Sequence, residues 1–214
     1  MKTQRKLQLQ KLSNMTRLIH ICGGIASGKT TFTSILSKLG IQPIYESFQS
    51  NPFWEAFYSD PQKYTFETEI SFMLQHYHQI KKQCADNKIM VCDYSFLLDM
   101  AYAEMGLQGS RLAAFKVVYE EIKKELPPPV LIIHLQCDPE TELTRISNRG
   151  RAVEKSITTD FLRSLNTAIE MQIEEARPHS KIITIDSSRI NFADDEDSKV
   201  KLVHLVSQAL DQRH

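Results

Sequence analysis

Apolar residues in this chain gather into short, near-continuous runs at Leu18–Cys22, Ile89–Cys92, Val130–Cys137 and Lys181–Ile185, with a weaker one at Ile41–Tyr45. Runs without polar alternation predict strands covered on both faces, as in a parallel sheet. Stretches with helical spacing lie between and after them: Thr30–Leu39, a long one within Pro61–Asp86, then Leu107–Leu126, Pro139–Asn148, Thr158–Arg177 and Asp194–Arg213. Pro127-Pro128-Pro129 stops one helix and leads into the next strand, because proline cannot donate a helical hydrogen bond. Asp138, and Thr158 or Thr159, are N-cap residues whose side-chain oxygens would accept from first-turn N–H groups. This alternation predicts an α/β, three-layer fold on a five-stranded parallel sheet, with ligands at the carboxyl ends of the strands. The acidic run Asp194-Asp195-Glu196-Asp197 reads as a solvated loop or helix start.

The first strand runs into Gly23-Gly24-Ile25-Ala26-Ser27-Gly28-Lys29-Thr30, followed by Thr31 in the opening turn of a helix. A glycine, four residues and Gly-Lys-Thr, between strand and helix, is the P-loop spacing. Small residues let backbone N–H groups converge on a phosphate chain, and the helix N-terminus adds its dipole. The expectation is a nucleoside triphosphate, ATP, on Gly23 to Thr31, with Lys29 on the β- and γ-phosphates and Thr30 on Mg²⁺.

Composition narrows the classes. The chain has 214 residues, 42% hydrophobic and 24% charged, with 26 basic and 26 acidic side chains. Zero net charge gives no support to a nucleic-acid partner. No apolar run approaches the ~20 residues of a membrane span, so no membrane role is expected. Cys22, Cys84, Cys92 and Cys137 form no Cys-x-x-Cys pair and read as reduced, which suits a cytoplasmic protein. Residues 1–16, basic and without an apolar core, read as a flexible tail ahead of one domain over 17–214.

Three polar groups fall beyond the strand ends: Tyr45-Glu46-Ser47, Asp93-Tyr94-Ser95, and Arg145 with Arg149-Gly150-Arg151 and Glu154. Phosphoryl transfer asks for positioning and for neutralisation of oxygens that carry charge. Arginines suit the second task, Asp93 can hold Mg²⁺, and Glu46 can take a proton from an attacking hydroxyl.

With these pieces the chain resembles the deoxyribonucleoside kinases from about Arg17 to Ser188. The resemblance lies in GGIASGKT, in YES for the family's Tyr-Glu-Pro, in NPFWEAFYSDPQKY, in DYS for Asp/Glu-Arg-Ser, and in RGRAVE. It implies transfer of the γ-phosphoryl group to a deoxynucleoside 5′-hydroxyl and a homodimer packed through long helices. It implies Glu46 as the base, Tyr58 and Glu154 on the sugar 3′-hydroxyl, and Asp93 near the metal. It also implies Arg145, Arg149 and Arg151 in a lid over about 145–158. Two departures stand out. Tyr94 replaces an arginine that supports the base, and Glu69 replaces a glutamine that reads the nucleobase. An ionised glutamate only accepts, so it favours bases that present amino groups. His76, on the same helical face as Glu69 with Phe72 between them, and Asp99 would complete that base pocket. The expected substrates are deoxyadenosine, deoxyguanosine or deoxycytidine.

Two other readings compete. A thymidylate-kinase-like monophosphate kinase shares the P-loop and lid. It needs arginines for the acceptor phosphate, and residues 45–95 contain none. A non-catalytic nucleotide switch would keep the P-loop without needing Glu46.

Overall fold

The computed structural model describes residues 17–84 and 88–211; the expected tail at 1–16 and the outer ends of two expected helices, at Asp86 and Arg213, lie outside them. Five strands, β1 (Arg17–Gly23), β2 (Gln42–Ile44), β3 (Ile89–Cys92), β4 (Leu131–Gln136) and β5 (Ile182–Asp186), form one parallel sheet in the order β2-β3-β1-β4-β5. The described residues also form eight α-helices. These are α1 (Lys29–Ser37), α2 (Trp54–Ser59), α3 (Pro61–Gln83), α4 (Phe96–Gly106), α5 (Gly109–Glu125), α6 (Pro139–Arg149), α7 (Thr159–Ala176) and α8 (Glu196–Asp211).

The period of two along β1 explains the layers. Ile19 and Ile21 face a core shared with Phe32 and Leu36 of α1 and with Leu202 and Val206 of α8. Leu18 faces the opposite core, with Met73 and Ile80 of α3 and Phe115 of α5. Cys22 also points that way, against Leu98 and Ala101 of α4 and Leu165 and Ile169 of α7. Both faces are covered, which is why the strands read as unbroken apolar runs. Ile21 is fully buried at the foot of the P-loop, and truncating it to Ala would cost about 2–5 kcal/mol.

Capping chemistry sets the helix starts. Thr141 N donates to Asp138 Oδ1 at 2.7 Å, Phe161 N to Thr158 Oγ1 at 3.2 Å, and Leu98 N to Ser95 Oγ at 3.2 Å. The chain leaves β1 for the edge strand β2, returns to β3, and then crosses to β4 on the other side of β1. That reversal beside β1 opens a crevice at the carboxyl ends of the strands, where such sheets bind ligands. Helices α2 and α4 are additions to the pattern read from the sequence.

Candidate active site

The loop after β1 is held in a conformation that few residues accept. Gly28, with φ of 103°, caps α1, and a side chain there would bring Cβ within 2.8 Å of Phe192 Cζ. Gly24 lies against Glu142 and Asn166, which leave no room for a Cβ. Ala26 has φ of 60°, a left-handed conformation that costs an L-residue about 1–2 kcal/mol. Such strain concentrates at ligand clamps. Lys29 Nζ donates to the Gly23 and Gly24 carbonyls at 2.9 and 2.7 Å. Ser27 is fully buried.

Asp93, just past β3, ties the loop to its neighbours. Thr30 Oγ1 donates to Asp93 Oδ2 at 2.8 Å, and the Glu46 backbone N–H donates to Oδ1 at 2.6 Å. Burial pushes the Asp93 carboxyl up, and these two hydrogen bonds oppose it. A hydroxyl and a carboxylate side by side are hard oxygen donors of the kind Mg²⁺ takes, together with phosphate oxygens and water. The residues therefore fit that ion.

One cavity of about 650 Å³ joins the loop to the acceptor side. Its walls carry Ile25, Ala26, Gly28, Lys29, Thr30, Thr31, Glu46, Tyr58, Glu69, Phe72, Asp93, Asp99, Arg145, Arg149, Arg151 and Glu154. Of the residues predicted from sequence, Gly23, Gly24 and Ser27 build the loop from behind. His76 also stands one layer back, 2% exposed, between Glu46 and Asp99.

The arginines are already engaged. Arg149 makes a forked pair with Glu154, from Nε at 2.7 Å and Nη2 at 2.6 Å, and Arg151 Nη1 reaches the same carboxylate at 3.2 Å. The Arg151 guanidinium also lies 4.2 Å from the Phe48 ring centroid. Arg145 donates from Nη2 to the Ser187 carbonyl at 2.6 Å and from Nη1 to the Ala26 carbonyl at 3.3 Å. It thus joins the P-loop to the chain beyond β5 rather than pairing with Glu154. Ser156 Oγ donates to the Tyr58 carbonyl at 3.3 Å, which fastens the 152–156 turn to α2.

The carboxyl groups at the other end differ in state. Burial would raise Glu46, but the hydrogen bond and charge of His76, with Lys29 and Arg151 behind, hold it below the usual range. Glu69 is pushed well above the usual range by burial and then by the charges of Asp99 and Glu46. Burial thus works against the ionised, acceptor-only form read from the sequence and towards an acid that can also donate. Beneath the P-loop, Glu142 is fully buried and its pKa rises to about 8, chiefly through burial; Asn166 Nδ2 donates to its Oε2 at 3.0 Å.

Several wall residues were not read from the sequence. Phe48 and Trp54 extend the expected Tyr58 into an aromatic strip, with centroids 4.7 and 5.8 Å apart. Tyr102 lines the cavity from α4, one turn beyond Asp99, a spacing that marks it only once α4 is recognised. The 190–194 segment closes the donor side.

A family model for deoxynucleoside kinase matches residues 19–211. The chain belongs to the deoxynucleoside kinase family. The deoxyguanosine kinase of Bacillus subtilis (strain 168) is 31% identical over 188 residues, which cover 84% of this chain and 90% of that protein. The deoxyadenosine kinase of Dictyostelium discoideum is 29% identical over 194 residues, covering 88% of this chain and 78% of that one. The solved structure of deoxyadenosine kinase from M. mycoides with bound dCTP shares the fold, with a TM-score of 0.76 at 21% identity over 90% of this chain and 99% of that one. This deoxynucleoside kinase is therefore an enzyme that phosphorylates a small nucleoside. Membership sets aside the monophosphate-kinase and non-catalytic readings. No described helix is long and apolar enough to cross a membrane.

Proposed function

We propose that this enzyme transfers the γ-phosphoryl group of ATP to the 5′-hydroxyl of deoxyadenosine, deoxyguanosine or deoxycytidine. The observation that carries the base preference is the division of side chains along one cavity, basic groups at one end and carboxyl groups at the other. Lys29, Arg145, Arg149 and Arg151 stand on the donor side, and Glu69 and Asp99 line the acceptor end with no lysine or arginine among them. Carboxyl oxygens favour a base edge that donates from an amino group. Relatives that act on deoxyguanosine, deoxyadenosine, or deoxyadenosine and deoxycytidine support the same reading.

Glu46 takes the proton of the 5′-hydroxyl, while Tyr58 and Glu154 hold the 3′-hydroxyl. Lys29 and the loop N–H groups hold the triphosphate. Arg149 and Arg151 turn from Glu154 towards the phosphate oxygens as the 145–158 segment closes, which keeps water from competing as acceptor. Thr30 and Asp93 would hold Mg²⁺, which supplies neutralisation of phosphate charge. All of this lies within one domain, residues 17–214. The outward Leu74 of α3 and Val117 of α5, exposed by 46% and 65%, support a homodimer through these helices. The four free cysteines support a reducing, cytoplasmic setting.

The test is a panel of the four deoxynucleosides with ATP and Mg²⁺, read as 5′-monophosphate formed. Thymidine as the best acceptor would overturn the base preference.

A further inference from the structure

Glu46, Glu69 and Asp99 crowd the acceptor end of the cavity, and His76 is the basic side chain that touches two of them. Its Nδ1 lies 2.9 Å from Asp99 Oδ2 and its Nε2 lies 3.2 Å from Glu46 Oε1. A neutral imidazole offers one donor and one lone pair, whereas an imidazolium offers two donors. Carboxylates on both nitrogens of one buried ring therefore select the charged form. Two rings fix its plane. Tyr94 stacks on it with centroids 3.9 Å apart and planes 9° apart, and Phe72 flanks it at 5.9 Å and 25°. A tyrosine face attracts a cation laid over it. Tyr94 thus supplies a plate where the resemblance leads one to expect a charge, and the charge stands one layer away on α3.

We propose that His76 is the positioning residue of the proton acceptor: anchored on Asp99, its imidazolium holds the Glu46 carboxylate oriented for the 5′-hydroxyl. This rests on the reading of Glu46 as the base, and it replaces the expectation that His76 lines the base pocket. Burial alone would lower the His76 pKa, but Asp99 and Glu46 outweigh it and push it up to about 10. The groups that face this ring are Glu46 after β2, Asp99 on α4, Tyr94 after β3, His20 on β1 and Glu69 on α3 itself. Burial, with His76 adding, takes His20 down to about 3, so it stays neutral. Burial and the charge of Asp99 push Glu69 towards its neutral form, so Glu46 and Asp99 are the carboxylates that face the cation. In the reaction, the 5′-oxygen bonds to the γ-phosphorus as the bond to the bridging oxygen of the ADP product breaks. The hydroxyl proton passes to Glu46 Oε2, the oxygen not bonded to His76, and leaves to solvent after product release. His76 keeps both of its protons throughout.

Two measurements on the full chain test this. In nitrogen-resolved NMR of the wild type at pH 8, through-bond correlations should show the His76 ring protonated at both nitrogens. His76→Gln should lower kcat about 10- to 100-fold, part of what a positioned base contributes, with a smaller change in KM. His76→Arg keeps a charge that can bridge two carboxylates and should restore kcat. A singly protonated ring at pH 8 would overturn the proposal. So would an unchanged kcat in His76→Gln, or a loss there that His76→Arg does not recover, since the latter marks a structural role only. Glu46→Gln measured alongside separates the two ideas. Full kcat in that variant would remove the base and the proposal together. An inactive Glu46→Gln beside an unchanged kcat in His76→Gln would remove the role of His76 alone.

Discussion

Glu142 gives a stability prediction with a definite sign. It is fully buried under the P-loop, and its Oε1 has no hydrogen-bond partner among the described residues. Its pKa rises from 4.5 to about 8 on folding, mainly by burial. The native state then binds more protons than the unfolded state between those limits, so stability falls as pH rises from about 4.5 to about 8. Below that window both states carry the neutral acid, and above it the penalty is constant. At about 1.4 kcal/mol per unit, the ceiling is about 5 kcal/mol. Relaxation and water entry at the loop reduce this to about 2–3 kcal/mol. Glu142→Gln has the shape of the neutral acid and keeps an oxygen for Asn166. It should match the wild type near pH 4.5 and be more stable by about 2–3 kcal/mol at pH 8. Urea unfolding of both proteins at pH 5 and pH 8 measures this, and the wild-type-minus-variant difference cancels the other titrating groups. An equal pH response in the two proteins, or a variant less stable at pH 8, would refute the reasoning.

Three further predictions concern the reaction. Glu46→Gln keeps the backbone bond to Asp93 but loses the proton acceptor, so kcat should fall by about 10²- to 10⁴-fold; full kcat on a good substrate would remove Glu46 from that role. Arg151→Ala should lower kcat by about 10²-fold or more if its guanidinium moves from Glu154 to the transferring group. An unchanged rate would show that this arginine only braces Glu154. Glu69→Gln keeps the shape of the protonated acid towards which burial drives this side chain, so the ranking of bases should stay as in the wild type. Collapse of purine use in that variant would show that Glu69 works as an ionised acceptor.

The parts legible in the sequence were those with a local cause. Strand β1 and its loop combine an apolar run with a glycine spacing, and both lie within a few residues. The caps of α6 and α7 could likewise be read from Asp138 and Thr158, because a cap acts on its own first turn. Helix α4 was missed because Phe96–Gly106 packs against both α3 and α7 and shows no single apolar stripe. Its remaining signal was Ser95, which caps it. With α4 unrecognised, Tyr102 could not be placed beside Asp99. Phe192 packs closely enough on Gly28 to leave no room for a Cβ, and nothing local to either residue announces it.

Tyr94 shows most clearly where reading by position stops. Compared with the family pattern, it removes a cation next to the base, which leaves either another cation in its place or a weaker site. Charge in a buried cluster is balanced over the cluster, however, not at each position. Glu46 and Asp99 need one cation between them, and a residue on any element that reaches both can supply it. His76 does so from α3, and the aromatic face of Tyr94 suits the ring stacked on it better than a second cation would. An arginine at position 94 beside an unchanged His76 would place two cations in contact with little water to screen them. The two positions are therefore coupled: Tyr94→Arg should be tolerated far better in a His76→Gln background than alone. The coupling is measured by kcat and urea midpoint across the four proteins of the double-mutant cycle, and additive effects would show that the two side chains do not share one charge.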